Sequence, residues 1–294
     1  MKIQVALAQI NTVLGDIPAN LEKHLTLIEW AKKQGADLVI FPELSLTGYF
    51  LQDLVLPCAL DPHTHPVFDR LKQASHEIDL MVGFVEVDTR SRFYIAAAYL
   101  SQGNILHIHH KVYLPTYTIF DEKRYFTPGS MVRSFETRFG RAGMLICEDL
   151  WHVSTPYLLW MDGADLFFSH AASPGHGLSA SDRLGAEKQV ETILSGYAGL
   201  FTSPVAYTNR TGYEDGLYFP GGSMVVDSGG NLATYAGSEE GITLSVIDTA
   251  EIRQRRFRLP LLRDERPDLV LSELERIRRE RGFTQSFGNE NAEG

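Results

Sequence analysis

The chain has 294 residues, 44% hydrophobic and 22% charged, enough to bury the core of one large domain or two small ones. This is the composition of an ordinary soluble globular protein and excludes a disordered or collagen-like chain. The formal net charge of −10 argues against a basic nucleic-acid footprint and leaves small substrates open.

In chain order, Lys2 to Ile10 alternates like a first strand. Asn20 is the predicted N-cap of a helix from Leu21 to Gln34. Within it Leu21, Leu25, Ile28 and Ala31 recur at the helical period, Lys32 and Lys33 suit the last turn, and Gly35 closes it. A second strand, Asp37 to Phe41, stops at Pro42, so strand, helix and strand follow one another as in a layered α/β fold. A second helix is predicted from Pro66 to Glu77. Extended segments follow at Leu80–Val87, Phe93–Ser101 and Ile105–His110, broken by Asp88-Thr-Arg-Ser and Gln102-Gly-Asn. Residues 112–135 read as a long loop, and structureless loops of that length in compact domains are usually functional. After the apolar run Gly143–Ile146 come a helix at Thr155–Asp162, a strand at Leu166–Ser169 and an amphipathic helix from Ser181 to Leu200. Strands are then predicted at Phe201–Thr208, Ser223–Asp227, Leu232–Ala236 and Ile242–Ile247. From Glu251 to Gly282 ten arginines face seven acids. This basic arm on an acidic body is expected to dock on that body or on a partner subunit.

Two cysteines without a C-x-x-C pattern argue against a disulfide framework or a zinc–thiolate cage, and point to a reducing compartment. The alternating N-terminus lacks the apolar core of a signal peptide, and no apolar run is long enough to span a bilayer. A cytoplasmic protein, with no membrane or nucleic-acid partner, is the expectation.

Three apolar runs end on chemically active side chains: Leu38-Val-Ile-Phe-Pro-Glu43, Ile105-Leu-His-Ile-His-His-Lys111 and Gly143-Met-Leu-Ile-Cys147. A carboxylate, an ammonium and a thiol at strand ends of an α/β sheet are placed where sites gather. They are also the groups that amide hydrolysis needs: a nucleophile, a base for its proton, and positive charge for the oxyanion. The spacing alone does not bring them together, and each residue by itself reads equally as a buried thiol, a strand-end carboxylate or a solvated lysine. His63 and His65 in Asp61-Pro-His-Thr-His65 form an H-x-H pattern, but they stand on a loop without further ligands in register, so no metal is expected. Cys58 has no chemical partners nearby, and Gly221-Gly-Ser223 reads as a tight turn.

The chain resembles the carbon–nitrogen hydrolase (nitrilase) superfamily. The resemblance is carried by Phe41-Pro-Glu-Leu-Ser-Leu-Thr-Gly-Tyr49, His110-Lys-Val-Tyr-Leu-Pro-Thr-Tyr117, Phe120-Asp-Glu-Lys-Arg-Tyr-Phe-Thr-Pro-Gly129, Leu145-Ile-Cys-Glu-Asp-Leu-Trp151 and Asn209-Arg-Thr-Gly…Gly221-Gly-Ser223, in the family's order. It implies an α/β fold, a four-layer α-β-β-α sandwich, over residues 1–250, with 251–294 as a C-terminal arm. It also implies Glu43 as general base, Cys147 as nucleophile, Lys111 as stabiliser of the tetrahedral intermediate and Glu122 as a second glutamate beside the lysine. No cofactor is implied, and the family commonly pairs subunits, so a homodimer or larger assembly is expected.

Within the superfamily the chain is most similar to the glutaminase domain of glutamine-dependent NAD synthetases, through Gln9-Ile-Asn, Leu46-Thr-Gly-Tyr49, Cys147-Glu-Asp-Leu-Trp151 and Ala172-Ser-Pro174. That likeness implies substrate contacts at Tyr49, Glu148 and Ser173; Tyr117, in the loop after the lysine, fits substrate contact or pocket packing equally. A carboxylate at 148 could hold a substrate amino group. No Ser-Gly-Gly-x-Asp-Ser pyrophosphatase loop is present, so a stand-alone amidase is expected, and Cys-Glu-Asp disfavours nitriles. The expected substrate is a small carboxamide, glutamine-like or otherwise. The alternatives are N-carbamoyl or nitrile hydrolysis and, in another class, a glutaminase-like subunit serving a separate synthetase.

Overall fold

The computed structural model describes residues 1–175 and 185–282. Two six-stranded sheets form its centre. In the first, the strands run in the order β14 (Gly241–Asp248), β1 (Lys2–Gln9), β2 (Leu38–Ile40), β3 (Asp79–Val87), β4 (Phe93–Ser101) and β5 (Asn104–His110). The second runs β13 (Leu232–Tyr235), β12 (Met224–Val226), β9 (Val205–Asn209), β8 (Leu166–Ala171), β7 (Gly140–Ile146) and β6 (Phe135–Thr137). At the centre of each, three strands pair in parallel: β1, β2 and β3 in one, β7, β8 and β9 in the other.

Period-two alternation sorts the side chains into layers. Val5 and Leu7 face inward with Leu38, Met81 and Tyr99, against Ala142, Met144, Phe168 and Ala206 of the second sheet. Ala6 and Ala8 face outward with Val39, Val82 and Phe84, under helices α1 (Ile17–Lys33) and α3 (Pro66–Ala74). On the far side Leu145, Phe167 and Tyr207 pack under α4 (Ser154–Met161) and α5 (Gly185–Phe201). The result is the expected α-β-β-α sandwich. Strands buried on both faces read as continuous apolar runs, which is why the short β2 was visible in the sequence.

Several boundaries differ from expectation for identifiable reasons. Helix α1 begins at Ile17, not Leu21: Asp16 caps it by accepting from Ala19 N at 3.0 Å, and Pro18 occupies the first turn. Asn20 instead lies buried within it, bonding Val13 N and O and Leu46 O. Helix α3 stops at Ala74, where Ser75 closes it. Phe201 ends α5 rather than opening a strand, because its ring packs on Trp160 and Tyr197 in the helical layer; positions 181–184 of the predicted helix lie outside the described residues. A short helix, α2 (Val55–Cys58), and a hairpin, β10 (Thr211–Glu214) and β11 (Leu217–Pro220), were not foreseen. The turn at Gln102–Gly103 is as anticipated: both residues take positive φ, 51° and 79°, the geometry of a two-residue hairpin.

Beyond β14, α6 (Thr249–Arg258) packs on the body: Ile252 is buried in the central core and Arg256 pairs with Asp165. The short α7 (Leu261–Asp264) and the longer α8 (Pro267–Arg281) follow, and neither contains a buried residue. Among the described residues, no helix is long and apolar enough to cross a membrane.

Candidate active site

The sheets deliver the predicted residues to one end of the sandwich. Glu43 follows β2, with Phe41 N still in the ladder on Met81 O and the chain then turning sharply at Leu44, where φ is +50°. This turn lies against β3 at Gly83: a Cβ there would sit 2.5 Å from Leu44 N and 2.6 Å from Pro42 O, so only glycine lets the backbones approach. Lys111 follows β5. Cys147 follows β7 with φ of +45° and opens a 3-10 turn, Cys147–Trp151. A non-glycine residue in the left-handed region costs on the order of 1–3 kcal/mol and persists where surrounding structure fixes it.

Asp149 supplies that fixing. Fully buried, it accepts from Ile146 N (3.1 Å), Val112 N (3.0 Å) and Tyr113 N (3.1 Å), and its Oδ2 lies 2.9 Å from His109 Nε2. One carboxylate thus ties the turn at Cys147, from the second sheet, to the backbone just past Lys111, from the first. His170 on β8 makes a similar link, its Nδ1 lying 3.1 Å from Phe41 O beneath Glu43. Burial lowers its pKa from 6.5 to about 3, so the ring is neutral and Nδ1–H is the donor.

At the centre Lys111 Nζ donates to Glu43 Oε1 and to Glu122 Oε1, both at 2.7 Å. Tyr49 OH also donates to Glu122 Oε1, at 2.6 Å, and Glu43 Oε2 accepts from Ala172 N at 2.9 Å. All three charged side chains are buried. Burial by itself would lower the lysine's pKa; the Glu122 and Glu43 carboxylates outweigh it and hold the ammonium charged, well above its ordinary value. Glu122 is pushed up to about 7, by burial first and by the charge of Glu43, against the pull of Lys111. The surrounding protein, and then the charge of Glu43, raise the Cys147 thiol well above its ordinary value, with Lys111 opposing. The resting Cys147 side chain is therefore a thiol, in the field of a buried ion pair. Glu122 Oε2 is buried with no hydrogen-bond partner among the described residues.

A second cluster forms the outer wall. Tyr117 OH donates to Glu148 Oε2 at 2.8 Å, and His152, stacked on Tyr113 with ring centroids 3.6 Å apart, lies 3.6 Å from Glu148 Oε1. Ser173 is held by Asn209, which accepts from its N–H at 2.9 Å, and it lines a small cavity with Cys147, Trp151 and Tyr207. A larger cavity, about 370 Å³, is lined by Glu122 together with Tyr49, Phe50 and Phe120. The eight residues singled out from sequence thus fall into two adjoining groups: Glu43, Lys111, Glu122, Tyr49 and Cys147 at the floor, Tyr117, Glu148 and Ser173 at the wall. The rest of the motif residues serve structure. His65 caps α3 by accepting from Val67 N, and Asp61 accepts from His63 N and Thr64 Oγ1 to shape its turn. Gly221 and Gly222 adopt φ of 75° and 76° ahead of Ser223, which bonds Gln9. Sequence reasoning missed Asp149, His170 and Ala172 N; for Asp149 the signal was present, a second carboxylate inside an otherwise apolar segment.

The sequence profile of the carbon–nitrogen hydrolase family matches residues 4–257, and the chain belongs to that family. It is 34% identical over 251 residues to a glutamine-dependent NAD(+) synthetase of Thermotoga maritima, covering 83% of this chain and 42% of that protein. It spans less than half the length of the curated synthetases it matches. It is 26% identical over 269 residues to an N-carbamoylputrescine amidase of Solanum lycopersicum, covering 86% of this chain and 89% of that one. A carbon–nitrogen hydrolase of Helicobacter pylori G27 superposes with a TM-score of 0.79 at 25% identity, over 93% of this chain and 99% of that one.

Proposed function

We propose that the protein hydrolyses the C–N bond of a small carboxamide through a thioester on Cys147. The observation that carries this reading is the doubly held Lys111, bridging Glu43 and Glu122 beside the strained cysteine. Glu43 takes the proton from Cys147 Sγ as the sulfur attacks the amide carbon. Lys111 and the N–H of Glu148 meet the developing oxyanion. The C–N bond breaks as the proton held by Glu43 passes to the departing nitrogen, releasing ammonia or an amine and leaving the thioester. Water then gives a proton to Glu43 and its oxygen to the acyl carbon, the acid departs, and the proton returns to sulfur. Because burial disfavours the free thiolate, proton transfer and attack are coupled: the base is used when substrate arrives, not before.

Tyr117, Glu148 and Ser173 are the proposed substrate contacts, with the Glu148 carboxylate receiving an amino group; Tyr49, expected among them, donates its hydroxyl to Glu122 and is proposed to act through that residue. Likeness to the synthetases supports a glutamine-like amide, and the near end-to-end likeness to the tomato amidase supports a second reading, an N-carbamoyl amine. Rates on glutamine, a short aliphatic amide and a carbamoyl amine separate the two. A glutaminase-like subunit working with a separate synthetase is the reading from another class; activation by such a partner on glutamine would favour it. We place the protein in the cytoplasm, as a homodimer or larger assembly, which sedimentation at micromolar concentration tests. Cys147→Ala retaining full amidase activity would overturn the proposal.

A further inference from the structure

Arg210 is almost wholly buried, and so is Glu214, its ion-pair partner four residues on: Arg210 Nη1 donates to Glu214 Oε2 at 2.7 Å. A buried ion pair is weak evidence for stability, since a well-packed apolar pair often serves as well. Its geometry shows another use. Glu214 Oε1 accepts from two successive backbone N–H groups, Tyr49 and Phe50, both at 2.8 Å. The backbone lies down on the carboxylate because Gly48 precedes it with φ of +82°; a Cβ there would come within 2.8 Å of Glu214 Oε2. Arg210 is fixed in turn by Asn11 Oδ1 and Thr12 O, and its guanidinium lies 4.4 Å from the centre of the Phe219 ring, which also packs edge-on against Tyr49.

Tyr49 is the side chain that turns Glu122. Its hydroxyl and Lys111 share Glu122 Oε1, which leaves Oε2 as the oxygen with no partner among the described residues. We propose that the Arg210–Glu214 pair is a positioning device for the reaction: it clamps the backbone of Tyr49, Tyr49 selects the oxygen Glu122 presents, and Glu122 thereby holds the Lys111 ammonium in register for the oxyanion. Glu214 and Arg210 touch no reacting atom. Arg210 stands just before β10, in the Asn209-Arg-Thr-Gly segment, and Glu214 is the last residue of β10. This inference rests on the reading of Glu122 and Lys111 given above.

A double-mutant cycle tests it, in the full chain, with Glu214→Gln and Tyr49→Phe on the best amide of the panel. Each single variant is expected to lose about 10–50-fold in kcat with KM changed less than threefold, and the double variant no more than the worse single, because both act along one path. The rate at which iodoacetamide alkylates Cys147 should stay within about threefold of wild type, since Asp149 holds that half of the site independently. Should Glu214→Gln not fold, Arg210→Lys, which keeps the charge and loses the forked geometry, enters the cycle in its place. Additive losses, or a lower Tm with kcat unchanged, would overturn the proposal. A fall in alkylation parallel to kcat would too, since it marks general disorder of the site. Failure of the underlying amidase reading looks different: Cys147→Ala would then turn over as wild type does.

Discussion

Glu43, Lys111 and Glu122 are 2%, 1% and 5% exposed, and each is gripped by groups from at least two segments of the chain; Tyr117, across the same site, is 52% exposed and has its hydroxyl on one carboxylate. The floor is made at strand ends and cross-braced between sheets by Asp149, His170 and the Ala172 N–H. The wall is drawn from Tyr117 in the loop after β5, which also carries Glu122, from Glu148 just after Cys147 and from Ser173 just past β8. The difference teaches how one sandwich can pair a braced, buried cluster with a more exposed rim, which under the proposed function divides bond breaking from substrate choice. Removing a floor residue should abolish turnover of every amide; removing a wall residue should reorder the substrates.

The sharpest break in that contrast comes from the nucleophile. Cys147→Ala is expected to lower kcat by more than about 10⁴-fold on every substrate, measured by ammonia release, while leaving Tm within a few degrees, because alanine keeps the Cβ and the backbone bonds of the turn and removes only the sulfur. Lys111→Met should cost about 10²–10³-fold in kcat as an oxyanion donor is lost. It should also lower Tm, because two buried carboxylates lose their counter-ion. At the wall, Glu148→Gln is expected to raise KM for an amino-bearing amide by about 10–100-fold, the loss of one charge-assisted hydrogen bond, with a short aliphatic amide nearly unaffected. An equal loss on both would erase the distinction between wall and floor.

The smallest effect is a slope in pH. His170 has its pKa lowered from 6.5 to about 3 by burial, so the folded protein holds it neutral while the unfolded chain protonates it. Its contribution to stability is present above pH 6.5 and is lost progressively as pH falls toward 3. Urea unfolding of wild type should therefore lose about 1.4 kcal/mol per pH unit more than His170→Asn as pH falls across that window. Parallel curves would show that the brace beneath Glu43 does not depend on a neutral ring.

Strand ends were legible because doubly buried strands announce themselves as apolar runs, and a charged or thiol side chain just after one has few structural uses. Glu43, Lys111 and Cys147 were found in this way, and the sandwich followed from the resemblance that their flanking segments carry. Helix starts were less legible: Asn20 looked like a cap, but Asp16 and Pro18 do that work and Asn20 bonds a loop buried beneath the helix. The braces were hidden for a different reason. Asp149 and Glu214 act on backbone N–H groups 36 and 165 residues away, and no local pattern records such partners. The β10–β11 hairpin escaped notice because its alternation lasts only four residues per strand.

The proposed role of the floor turns on a covalent bond between Cys147 and the acyl group. Rapid-quench intact-mass spectrometry during turnover of an amide reads it directly. The expected result is an adduct equal to the amide less ammonia, mapped to the peptide carrying Cys147 and absent from Cys147→Ala. Turnover with no adduct, in a protein whose Cys147→Ala variant stays active, would contradict it.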